Sequence, residues 1–185
     1  MKKRIIISVV GLIIVIGVVL FLINMNGRLK YREGTINYYT SEIGIDELKQ
    51  RYEESEGDPN YQILKTDNPF PSENSKDYIN IGVLLNMENK SWFDVRNVNV
   101  VIDSYNGDEL IIKDNSLEEV GLSSNEKKEV YLMGILAYCG NKSPEEIIDD
   151  VKSMEITIMY SNAIRKNIKK HLKLSDMKFT INDVE

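Results

Sequence analysis

One cysteine, Cys139, stands in a chain of 185 residues, so no disulfide can form within it. The fold has to hold through its core alone. An exported protein built that way fits a Gram-positive bacterial surface better than a disulfide-rich secreted domain. Histidine is equally scarce, His171 being the only one. Two soft ligands are too few for a zinc site, and no local pairing offers Cys139 a base. His171 sits among Lys169, Lys170 and Lys173, where it reads as a plain exposed residue, and Cys139 reads as a small residue at a strand end. No glycine-rich phosphate cradle, G-x-S-x-G elbow or paired-carboxylate motif is present. Asp103, Asn106 and Asp108 around Gly107 come nearest to a calcium loop, but Asn-Gly hairpin chemistry accounts for them without a metal. These absences predict no catalytic residues, no cofactor and no metal. Positive charge is also short. There are 23 basic against 29 acidic residues, and the net charge is −6. A mildly acidic chain has no broad basic face to displace counterions from phosphate, so nucleic acid is not an expected partner.

What the chain has in plenty is one apolar run. Residues 5–23, IIISVVGLIIVIGVVLFLI, carry no charge. As a helix rising about 1.5 Å per residue they approach the thickness of a bilayer core. Lys2, Lys3 and Arg4 precede the run and Arg28, Lys30 and Arg32 follow it. No small-x-small cleavage site follows, and no cysteine stands at its end for lipid attachment. The expectation is a retained single-pass anchor, with a cleaved export signal as the alternative. The basic tip resembles an export signal, which places the N-terminus in the cytoplasm and the rest outside the cell membrane, although the charges on the two sides are nearly balanced.

Beyond the run three regions are expected. Residues 1–27 form the anchor with its basic tip, 28–76 a juxtamembrane spacer, and 77–185 the main extracytoplasmic domain. In the spacer the anchor helix is expected to continue to near Gly34. Ile45, Leu48 and Tyr52 share one face of a short amphipathic helix, residues 61–64 suit a short strand, and Pro69 and Pro71 stiffen an extended linker. From Asp77 the period becomes two. Ile79, Ile81, Val83 and Leu85 mark one strand, and residues 86–91 the turn after it. Val98, Val100 and Ile102 mark a second strand, with opposite parity at Phe93 and Val95 that predicts a bulge or a switch of face near Arg96–Asn97. Asn106-Gly107 predicts a hairpin into Leu110-Ile111-Ile112. Residues 117–122 suit a short edge strand, and 128–138 a long strand with Val130, Leu132 and Leu136 on one face. Ser143-Pro144-Glu145-Glu146 opens a helix with Ile147, Ile148 and Val151 buried. Strands follow at 154–160, 168–174 and 177–181.

This order predicts a mainly β protein, an antiparallel sandwich with one inserted helix. The run INIGVLLNMENKSWFDVRNVNVVIDSYNGDELI, followed by LEEVGLSSNEKKEVYL, resembles the immunoglobulin-like or fibronectin-III-like sandwiches of bacterial surface proteins. The resemblance rests on the pattern from Val95 to Val101 and on Tyr105-Asn106-Gly107, and covers residues 77–136. It implies a fold and a surface role, and no catalytic residues. The one charged feature of note is Arg165, Lys166, Lys169, Lys170 and Lys173. It reads either as lysines guarding an edge strand or as a contact patch for anionic wall polymer, lipid headgroups or an acidic envelope protein. The functional expectation is a non-catalytic binding or assembly module anchored in the bacterial cell envelope. The alternatives are an anchored sensor or inhibitor, and a hydrolase using scattered carboxylates.

Overall fold

The computed structural model describes residues 2–25, 27–55, 57–58, 61–64, 70–107, 111–114 and 120–184, with the side chains of 2–8, 55 and 111 left out. The expected turns at 59–60 and 115–116, the linker residues Asn68 and Pro69, and Asp108 and Leu110 lie outside them. The elements in chain order are α1 (Lys2–Met25), β1 (Leu29–Thr40), α2 (Ile45–Ser55), β2 (Tyr61–Leu64), β3 (Tyr78–Asn89), β4 (Val95–Ser104), β5 (Ile111–Asp114), β6 (Val120–Leu122), β7 (Lys127–Tyr138), α3 (Pro144–Lys152), β8 (Glu155–Ser161), β9 (Ile168–Lys173) and β10 (Lys178–Asp183). The protein is mainly β. A six-stranded sheet ordered β10-β1-β3-β7-β5-β2 faces a four-stranded sheet ordered β6-β4-β8-β9.

Alternation builds the core. Ile79, Ile81, Val83, Leu85 and Met87 of β3 point inward, as do Ile156, Ile158 and Tyr160 of β8. Each such side chain removed from water contributes about 1.5–3 kcal/mol. α3 carries the chain from β7 in one sheet to β8 in the other, burying Ile147, Ile148 and Val151. Its start is specified locally. Ser143 Oγ accepts from the Glu146 amide, and Glu146 Oε2 accepts from the Ser143 amide at 2.8 Å. Both ends of the capping box are satisfied.

Several expectations are corrected. α1 stops at Met25, and the residues expected to prolong it form β1, paired with β3 on one side and β10 on the other. A break fits here because Gly27 has φ +69 and abuts Tyr160, where a Cβ would meet the ring at 2.8 Å. The segment expected as spacer thus supplies two strands, β1 and β2, to the six-stranded sheet. That sheet is mixed, not antiparallel, because β10 runs parallel to β1. β3 already covers the other edge of β1, so the last strand lies along the edge left open. Residues 86–89 extend β3 instead of turning, since Met87 and Asn89 continue its buried parity. Asn106-Gly107 does not close a hairpin. β4 and β5 lie in different sheets, and neither residue has positive φ, which a type I′ turn requires. In β7 a bulge at Leu132 reverses the parity, so Met133, Ile135 and Ala137 are buried and Leu136 faces outward. The bulge expected at Arg96–Asn97 is present, with Asn97 at φ 52.

Two side chains complete the edge of β4. Among the described residues β6 pairs with it as far as Val98. Past that point Gln62 of β2 receives the Ile102 amide at 2.9 Å and donates to the Ile102 carbonyl at 2.6 Å. Lys113 of β5, fully buried, donates to the Val100 carbonyl. Burial pulls the Lys113 ammonium down to about 8, with Asp114 opposing the shift.

A lysine with a depressed folded-state pKa penalises folding below that pKa, and the penalty fades as pH rises toward the unfolded value. The phenols of Tyr31, Tyr78, Tyr131 and Tyr160, all raised by desolvation, cost stability only once unfolded phenols ionise, above about pH 10. Urea denaturation is therefore expected to show stability increasing by about 2 kcal/mol from about pH 7.5 to 9.5. In Lys113→Met that slope disappears. An equal slope in the variant would assign it to another group.

Candidate functional site

The outer face of the six-stranded sheet carries a groove. Gly82 of β3 and Gly134 of β7 are register partners at its middle. The bulge that reverses β7 brings Tyr131 to the same face as Gly134. A Cβ at Gly134 would stand 3.0 Å from the Tyr131 hydroxyl, and one at Gly82 would stand 3.1 Å from its ring. The glycine pair is a flat shelf on which the tyrosine lies, a close approach that strand glycines commonly mark. Around it Tyr39 of β1, Tyr61 of β2, and Leu48 and Arg51 of α2 complete a groove of about 470 Å³.

The groove is lined by aromatic, amide and charged side chains. Tyr131 and Tyr61 are both held above the ordinary phenol range, chiefly by burial and then by neighbouring charge including Asp114, so both remain neutral donors. Asn80 lines the groove, and its amide nitrogen is buried with no hydrogen-bond partner among the described residues. A buried unsatisfied donor costs about 1–3 kcal/mol, a cost that a ligand oxygen would relieve. The described lining holds no histidine, cysteine, serine or lysine. Aromatic walls with a few convergent polar groups are the ordinary make-up of a ligand pocket. Sequence reading missed this site. Gly82 was legible only as a polar-face position, and the bulge that aims Tyr131 leaves no local mark.

The five expected contact cations do not share one face. Arg165 and Lys166 are exposed in the loop between β8 and β9. Lys169 and Lys173 point outward from β9, the free edge of its sheet, while Lys170 lies on the inward parity and is half-buried. Lys173 bonds Glu155 at 2.5 Å, which raises its pKa. Lysines along a free edge discourage strand addition.

His171 is exposed, as expected, but it does have a carboxylate partner. Asp103 Oδ2 lies 3.3 Å from its Nδ1, and Thr157 Oγ1 lies 2.6 Å from both atoms. With the proton assigned to Nδ1, the imidazole donates to Thr157 and the hydroxyl donates to Asp103. A nucleophile–base–carboxylate relay needs the two imidazole nitrogens to face different partners, and here one nitrogen faces both. Asp103, weighed for calcium, is engaged in this cluster. Cys139 follows β7 in the opposite sheet and packs at the margin of the core. Among the described residues no group of three or more His, Cys, Asp or Glu is placed to hold a metal ion. The chain matches no protein-family model and no curated protein.

The shelf has a direct readout. Gly134→Val should push the Tyr131 ring off the sheet and open its phenol to water. A spectrophotometric tyrosine titration is expected to show one phenol moving down toward 10 relative to wild type, with Tyr131→Phe identifying the group. An unchanged titration would mean the ring does not rest on the glycines.

Proposed function

We propose that the chain is a non-catalytic binding or assembly module of the bacterial cell envelope, anchored by α1 with its sandwich outside the membrane. The observation that carries this reading is the exposure of α1. Its large apolar side chains from Val9 to Ile23 are all exposed, on every side of the helix. A helix apolar all round needs an apolar medium, and apolar surface this extensive marks a membrane or partner contact. Among the described residues no helix is long and apolar enough to cross a membrane, the described side chains of α1 being those of 9–25. The uncharged sequence run begins four residues earlier, at Ile5, which is the basis for reading α1 as a span.

The strand order supports the immunoglobulin-like part of the reading. β1-β3-β7-β5 facing β4-β8-β9 follows the A-B-E-D and C-F-G order of that sandwich. β10, β2 and β6 are additions at its edges. The groove over the glycine shelf is the contact site of this reading, and its partner an envelope protein or wall polymer.

A second reading, an anchored sensor, draws on the joint between α1 and the sandwich. The Asn24 side chain accepts the Trp92 amide at 3.1 Å, and Asn162 donates to the Met25 carbonyl at 3.0 Å. Phe21 meets Phe93 edge-on with centroids 6.3 Å apart. A helix held this way passes its tilt directly to the domain.

Two treatments of intact cells test the placement. The chain is expected to resist alkaline carbonate extraction, and added protease is expected to digest the sandwich without lysis. Release by carbonate would contradict the anchor, and protection from protease would contradict the outward orientation. Replacing α1 by an unrelated span should leave the binding reading intact and abolish function in the sensor reading.

A further inference from the structure

The end of the sandwich around Met25 has a rim unlike the rest of the surface. Two loops flank the helix terminus there, 90–94 between β3 and β4 and 162–167 between β8 and β9. Both are tied to α1, the first through the Trp92 amide on Asn24 and the second through Asn162 on the Met25 carbonyl. Each loop turns a large apolar side chain outward. Trp92 is 55% exposed and Ile164 45%. Asn162 also receives the Ile164 and Arg165 amides at 2.9 and 2.7 Å, which fixes the second loop against the helix end. The rim is basic in an acidic chain. Arg28, Arg165 and Lys166 are exposed on it; of the carboxylates beside it, Glu88 and Asp94 face Lys90 and Arg96, and Glu126 accepts the Ser123 amide.

Exposed tryptophan and isoleucine beside arginine and lysine, one residue beyond an apolar run, is the composition of a membrane interface. Tryptophan settles at headgroup depth, long cationic side chains reach phosphate while their stems stay apolar, and basic residues close to an anionic bilayer are attracted to it. We propose that this rim rests on a bilayer surface containing anionic lipid headgroups, with Trp92 and Ile164 at headgroup level and Arg165 and Lys166 against lipid phosphates. The inference rests on the reading of α1 as a membrane anchor and adds that no stalk holds the sandwich away from the bilayer.

Trp92 is the only tryptophan, so its emission reports on the rim without a label. The full chain is reconstituted into vesicles of phosphatidylcholine alone or mixed with phosphatidylglycerol, each with and without lipid brominated near the headgroup. Trp92 is expected to be quenched by brominated lipid, about twofold more with phosphatidylglycerol present, given the attraction of basic residues to anionic lipid. Arg165→Glu with Lys166→Glu should remove that difference while leaving the far-ultraviolet circular dichroism unchanged. Equal quenching in both vesicles would overturn the headgroup assignment. Unquenched, water-like emission from a chain that still floats with the vesicles and resists carbonate would overturn the rim contact and leave the anchor standing. Blue-shifted but unquenched emission would assign the rim to a second copy of the chain, also overturning the proposal. Failure to float with the vesicles would overturn the anchor and the rim together.

Discussion

The amide of Asn89 holds together what the rest of the molecule builds on. The residue is fully buried at the last position of β3. Its side-chain nitrogen lies 2.8–3.2 Å from the carbonyls of Phe93, Leu122 and Ser123, and its oxygen receives the amide and hydroxyl of Ser91. A buried amide left unpaired is costly, and a fully paired one specifies a single arrangement. The loop that follows β3 is therefore closed onto the end of β6 in the opposite sheet. That loop presents Trp92 to Asn24 and Phe93 to Phe21. One polar cluster thus ties the two sheets together and sets where the apolar helix meets them.

A second constraint works at the other side of the sandwich. The described residues of β6 pair with β4 as far as Val98, and beyond that a bare strand edge facing a core would leave backbone groups unpaired. Gln62 and Lys113 reach across from the other sheet to satisfy them. The lysine does so at the expense of its own hydration, which is why its pKa falls. The same sheet that reaches inward with these side chains presents its outer face as the tyrosine-lined groove.

How much of this was legible depended on how local the cause is. α3 was legible in full because Ser143, Pro144 and Glu146 specify its start without help from elsewhere. The bulge in β4 was legible because Phe93 and Val95 break parity with Val98. β1 was not, since only Gly34 and Ile36 of its 12 residues are buried, and its partners β3 and β10 lie far along the chain. Asn106-Gly107 pointed to a hairpin because turn chemistry is local, whereas the choice of sheet for β5 is made by β7 and β2. Lys113 carries the composition of a surface residue in the place of a core one. For the groove, the two glycines were in view, but the bulge at Leu132 that lays Tyr131 across them depends on register with β3.

The central claim is that helix and sandwich form one jointed unit with no intervening stalk. Phe21→Cys with Phe93→Cys, made in a Cys139→Ala background and treated with a short bifunctional thiol reagent in the full-length chain, tests it most directly. With the two rings in edge-on contact across the joint, the pair is expected to be bridged within one chain, more slowly when Asn89→Ala loosens the loop. Failure of the pair to cross-link in the full-length chain would contradict it.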